Sequence, residues 1–180
     1  LSTALQPQFY NELRTQQQLG YIVNAGYTEL EETLGLVFMV QSGRYDPNTL
    51  QQRMDTYFPK FLAELSKISE VELEKLKRSV LSGKLRRSAS ISEETSRLFS
   101  IIRNRDADFD YNSREIDALQ RLTVADLQDI LRTHLAPERQ RWLVLRMVGS
   151  IHEDGPASGN RINTIDEFKQ AYPCPALCAP

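Results

Sequence analysis

A chain of 180 residues, 41% hydrophobic and 26% charged, has enough apolar material for a core of its own and needs no disulfide framework. Lys plus Arg number 22 against 24 Asp plus Glu, and the net charge of −2 gives no overall attraction to nucleic acid or an anionic membrane surface. No run approaches the ~18 consecutive apolar residues of a membrane span, and no basic-then-apolar leader opens the chain. It starts at Leu1 inside a helical pattern, which reads as a piece of a longer protein.

The segment from about Ser2 to Gln18 reads as a helix, with Pro7 near its start and Phe9, Tyr10 and Leu13 on the buried face. Gly20 is the residue type that ends helices, and Tyr21 to Thr28 then reads as a strand whose alternation puts Tyr21, Val23, Ala25 and Tyr27 on one face. Glu29-Leu30-Glu31-Glu32 reads as a solvated hairpin connection. The nearly continuous apolar run Leu34 to Gln41 predicts a second, antiparallel strand buried on both sides.

Asp46 and Pro47 supply an N-cap and a first-turn proline for a helix carrying Leu50, Met54, Tyr57, Phe58, Phe61, Leu62 and Leu65, kinked at Pro59. Ser69 and Glu72 form a capping box for the next helix, whose apolar residues are Leu73, Leu76, Val80 and Leu81 and whose end is the cationic Lys84-Leu85-Arg86-Arg87. A further helix starts among Ser90 to Ser92 with Leu98, Phe99 and Ile102 on one stripe. Two shorter ones start near Ser113 and at Thr123, and Arg141 to Val148 reads as a strand. The order predicts an α+β fold, a mostly antiparallel sheet with helices packed on one face, over residues 1–149. Residues 150–180 form a tail with a short helix around Ile165 to Ala171.

The chemistry concentrates at Leu13-Arg14-Thr15-Gln16-Gln17-Gln18-Leu19-Gly20-Tyr21, where Arg14 and Tyr21 flank one helix-to-strand corner. Two donors facing the same space there would grip a peptide carbonyl or an oxyanion. A surface ion pair for Arg14 and a half-core role for Tyr21 is the competing reading. His134 sits where a helix ends, and His152-Glu153-Asp154 lies among turn formers as a solvated loop with at most loose affinity for a divalent ion. Cys174 and Cys178 fall in a Pro-rich tail and cannot complete a tetrahedral metal site by themselves; loose thiols or a local disulfide remain open. Carboxylates lie at helical spacing from Lys75, Lys77 and Arg78, where surface ion pairs explain them, and the Lys84 to Arg87 cluster reads as a solvated helix end. No nucleophile elbow, phosphate loop or dinucleotide fingerprint is present.

The run Arg14-Thr15-Gln16-Gln17-Gln18-Leu19-Gly20-Tyr21 resembles the signature of the C-terminal half of the pitrilysin/insulysin (insulinase-type, inverzincin) zinc metallopeptidases, without departure at its defining positions. The resemblance extends through Leu34 to Ser42, the paired helices, Phe109-Asp110-Tyr111 and Ile165 to Phe168, and so covers most of the chain. It implies a peptidase-type domain lacking its first strands and helix, with an exposed sheet edge through which the fragment self-associates. The family's His-x-x-Glu-His is absent, since the only histidines are His134 and His152. The resemblance therefore implies no metal in this chain and zinc in the parent enzyme, held by an N-terminal half that is the chain's partner along with peptide substrates. Tyr21 would stabilise the oxyanion, Arg14 would bind a substrate carbonyl, and Tyr27 would line the substrate chamber. The fragment alone is expected to be inactive, and a non-catalytic scaffold or peptide-recognition subunit of the same fold is the alternative. The family leaves the compartment open between periplasm and cytoplasm, leaning to the former.

Overall fold

The computed structural model describes residues 1–30, 33–152 and 160–171. The first helix, α1 (Ser2–Phe9), continues without a break into a π-helical segment, Tyr10–Gln16. Ala4, Leu5 and Phe9 are buried along α1, and Leu13 along the π segment, whereas Tyr10, expected on the buried face, is about half exposed. The strands β1 (Ile22–Leu30) and β2 (Thr33–Gln41) form an antiparallel pair with Ile22 opposite Gln41 and Ala25 opposite Phe38.

One face of this pair carries Val23, Ala25, Leu36, Phe38 and Val40 against the helices. The other leaves Val37 and Met39 about half exposed. The expectation that β2 is buried on both sides is therefore overturned. A continuous apolar run has no period to say how many of its faces are covered, and only one layer of helices covers this sheet. Of the acids expected in the hairpin connection, Glu29 is exposed but lies within β1 and pairs with Arg105. Glu31 and Glu32 lie outside the described residues.

Helix α2 (Pro47–Leu65) supplies the centre of the core through Leu50, Tyr57, Phe58, Phe61 and Leu65. The Asp46 carboxylate accepts the backbone N–H groups of Asn48 and Thr49 at 2.9 and 3.1 Å, satisfying two of the donors a helix start leaves free. The helix runs through Pro59 as one element. Phe9, Phe38, Tyr57 and Phe58 form edge-to-face contacts with centroids 5.3 to 5.4 Å apart, within the geometry that aromatic quadrupoles prefer. Full burial of each of Leu5, Phe9, Leu13 and Phe61 contributes about 1.5–3 kcal/mol.

Helix α3 (Glu70–Lys84) starts at the expected Ser69–Glu72 capping box, and α6 (Val124–His134) at a second one formed by Thr123 and Asp126. Between them, α4 (Ile91–Asn104) and α5 (Tyr111–Arg121) bury no residue. The stripe expected on α4 is present but largely open to solvent, with Phe99 and Ile102 both more than half exposed. Lys77 makes the ion pair expected of it, with Glu74, but is buried and not on the surface. Its ammonium donates to Glu74 and to the carbonyls of Gln120 and Leu122, closing the C-terminal end of α5.

The strand expected over Arg141 to Val148 does not form. The sheet among the described residues has two strands. Side chains hold this segment in place of a ladder: Trp142 packs edge-on to Phe58 at 5.1 Å, and Arg146 bonds the Asn48 side chain. Alternation survives in its exposure, since Leu143, Leu145 and Met147 all face solvent. A period-2 pattern tells which face can be buried, but pairing also needs a free neighbour in register. Helix α7 (Ile165–Ala171) forms in the tail and buries none of its residues. No helix among the described residues is long and apolar enough to cross a membrane.

Candidate active-site corner

The corner between the π segment and β1 is built by one residue more than an α-helix would use. Gln17 N–H donates to the Glu12 carbonyl at 2.9 Å, five residues back, and Leu19 N–H reaches the Leu13 carbonyl at 2.9 Å, six residues back. The left-handed residue that turns the chain is Gln18, at φ 51°, so the helix-ending role expected of Gly20 belongs to Gln18. Gln17 also reaches back through its side chain to the Glu12 carboxylate at 2.9 Å, tying the wide turn shut. Widening the turn lets both Leu13 and Leu19 enter the core, at 0% and 2% exposure. In a regular α-helix a six-residue step would put them on different faces. π-Helical turns are rare and recur at functional sites.

Gly20 passes close against the end of β2. A Cβ on it would overlap the Gln41 carbonyl oxygen and stand 2.8 Å from the carbonyl carbon. The same carbonyl accepts the Tyr21 N–H at 3.1 Å. Tyr21 thus leaves the corner anchored by its backbone while its side chain, 85% exposed, projects into solvent. Arg14, half-buried on the π segment, places its guanidinium carbon 5.8 Å from the centre of the Tyr21 ring, within cation–π range. The two donors therefore open to the same space. A substrate carbonyl entering there could be met by a charged fork and a phenol hydroxyl together.

Tyr27 is exposed at the far end of β1, separated from Tyr21 by the buried Val23 and Ala25. Six residues of extended chain span about 20 Å. The structure thus joins Arg14 with Tyr21 and leaves Tyr27 apart. Sequence spacing did not disclose the π turn, the Glu12–Gln17 bond or the Gln41 carbonyl. The burial of Leu13 and Leu19 at a six-residue step is the one trace they leave in the sequence.

His134 closes the last turn of α6. His152 lies in a turn, and Glu153, Asp154, Cys174 and Cys178 lie outside the described residues. Among the described residues no three His, Cys, Asp or Glu side chains converge as a metal-ligating group, so zinc finds no fitting donor set on them. A cleft of about 1080 Å³ lies away from the corner, among α3, α4 and α5. Its charges are largely spent on one another, as in Lys84–Glu115, Arg86–Glu93 and Arg97–Glu94. The Glu94 carboxyl, bonded to Arg97 and Ser88, is held down at about 2. Such paired charges are a structural lattice and leave little field for a ligand.

Residues 1–99 match the sequence family described as PQQ synthase PqqF-like, C-terminal lobe domain 4. Protease 3 of Salmonella typhi is 28% identical over 150 residues, an alignment covering 83% of this chain and 16% of that protein. The insulin-degrading enzyme of Drosophila melanogaster is 26% identical over 152 residues, covering 84% of this chain and 15% of the relative. The crystal structure of pitrilysin superposes with a TM-score of 0.64 and 30% identity, over 71% of this chain and 14% of that one. The chain accordingly spans about 16% of the length of the first of these relatives.

Proposed function

Since the chain belongs to the PqqF-like C-terminal lobe family of insulinase-type metallopeptidases, we propose that it supplies the carbonyl-binding side of a peptidase active site whose zinc is held by other residues. The observation that carries this reading is the Arg14–Tyr21 pair, in which the guanidinium carbon lies 5.8 Å from the centre of an exposed tyrosine ring and so brings two hydrogen-bond donors of different chemistry to one corner. Hydrolysis of a peptide builds negative charge on the carbonyl oxygen. A phenol hydroxyl aimed at that oxygen bonds it more strongly as the charge grows, which lowers the barrier instead of merely tightening the ground state. Arg14, permanently charged and forked, holds a neighbouring backbone carbonyl and so registers the peptide. Zinc would supply activation of the attacking water; this chain's part is to bind, orient and receive charge. Tyr27, about 20 Å along β1, would touch only a more distant stretch of the same peptide. Peptides and a metal-bearing half are the partners that this reading requires. The isolated chain is inactive and tends to self-associate through its uncovered sheet.

The test is Tyr21→Phe in the full-length enzyme. Turnover should fall on the order of 10²-fold with zinc content unchanged. Unchanged turnover would leave peptide recognition, without catalysis, as the role of the corner. Loss of zinc or of folding would show that the hydroxyl serves structure. Peptide hydrolysis by residues 1–180 alone would refute the division of labour.

A further inference from the structure

We propose that Gly20 is a positioning residue for Tyr21: by letting the corner lie directly against the last carbonyl of β2, it sets where the phenol stands relative to the Arg14 guanidinium. The inference rests on the reading of Arg14 and Tyr21 given above and adds a residue that touches neither substrate nor metal.

Glycine at this position is not explained by backbone conformation. The left-handed turn of the corner falls on Gln18, and Gly20 itself lies outside the left-handed region. What Gly20 provides is space. A Cβ there would overlap the Gln41 carbonyl oxygen, stand 2.8 Å from its carbon and lie 3.3 Å from the Ser42 Cα. All three are backbone atoms, so no rotamer change relieves the clash, and the corner or the end of β2 must move. Gly26, Gly43, Gly83 and Gly149 meet nothing within 4 Å by the same measure.

The carbonyl that Gly20 crowds is also the acceptor for the Tyr21 N–H, at 3.1 Å. Pushing the corner off Gln41 therefore breaks the anchor of the next residue. Arg14 is held differently, by the π segment and the burial of Leu13 and Leu19. The two donors hang from separate supports, and Gly20 controls the spacing between them. Geometry of this kind matters steeply in catalysis, since displacement by about 1 Å commonly costs on the order of 10²-fold.

The experiment is a kinetic cycle in the full-length enzyme with Gly20→Ala, Tyr21→Phe and the double variant. Gly20→Ala should lower kcat on the order of 10²-fold with KM within about twofold of the parent. The double variant should be no slower than Tyr21→Phe alone, because a misplaced hydroxyl and a missing one are the same loss. Wild-type kcat in Gly20→Ala, or losses that multiply in the double variant, would overturn the positioning role while leaving the reading of Tyr21 intact. Unchanged kcat in Tyr21→Phe would instead sink that reading. Positioning would then be judged from a crystal structure of Gly20→Ala, where an Arg14–Tyr21 separation still at 5.8 Å overturns it and a wider one supports it. If Gly20→Ala does not fold, amide exchange in the parent decides. Protection of the Tyr21 N–H comparable to that of Val23 supports the anchor, and exchange at the rate of free chain refutes it.

Discussion

Lys77 shows how a single side chain can belong to the fold although its residue type belongs to the surface. Its ammonium lies 2.6 Å from Glu74, 2.8 Å from the Gln120 carbonyl and 3.1 Å from the Leu122 carbonyl, so one charge closes a helix end contributed by a separate element. Lys77→Met keeps the apolar stem and leaves both carbonyls without that donor. The expected cost is about 2 kcal/mol or more, read as a lower denaturation midpoint in urea. The sequence could not disclose this, because a lysine four residues after Leu73 fits a solvated helix face equally well. Arg14 and Tyr21 were legible for the opposite reason. Their types and spacing are local, and a resemblance of eight consecutive residues carried their pairing. What stayed hidden at that corner was backbone: the Gln41 carbonyl comes from 20 residues further along.

Elements were most legible where their ends carry their own chemistry. Asp46, Ser69 and Thr123 each cap the helix expected of them, with Glu72 and Asp126 completing two capping boxes. Asp46→Ala should therefore destabilise the helix start, seen as a lower melting midpoint. Hydrogen bonds from Thr49, Ser69 and Thr123 hold the Asp46, Glu72 and Asp126 carboxyls below their usual range, and those from Arg97 and Ser88 hold Glu94 at about 2. A carboxyl with a depressed folded pKa stabilises fully above its unfolded value and loses that contribution as pH falls through the folded one. For Glu94 the window runs from 4.5 down to about 2. The melting midpoint should fall across that window, and Glu94→Gln should start lower at pH 7, fall less steeply and meet the parent near pH 2. Parallel curves for the two proteins would mean that Glu94 gains nothing from its partners. Elements defined only by an apolar pattern fared worse. Leu34 to Gln41 is a strand with one face uncovered, and Arg141 to Val148 has the alternation of a strand but joins no sheet among the described residues.

At the scale of the whole molecule, apolar surface is left without cover in several places among the described residues. Val37 and Met39 stand on the open face of the sheet, Ile91, Phe99 and Ile102 on α4, and Leu143, Leu145 and Met147 beyond α6. Single exposed apolar residues are ordinary, but β2 combines an open face with an unpaired edge, since among the described residues its one partner is β1. Such a strand offers both hydrogen-bonding groups and apolar side chains to a second copy. The isolated chain should consequently self-associate as its concentration rises, which sedimentation velocity reads as a shift to faster species. Met39→Lys with Val37→Lys puts two charges on that face, where pairing would have to bury them, and should return the chain to a monomer. Ile91→Lys with Phe99→Lys provides the contrast on α4. Association removed by the α4 pair and retained by the β2 pair would place the contact on the helix. Suppression by the β2 pair alone assigns it to the sheet.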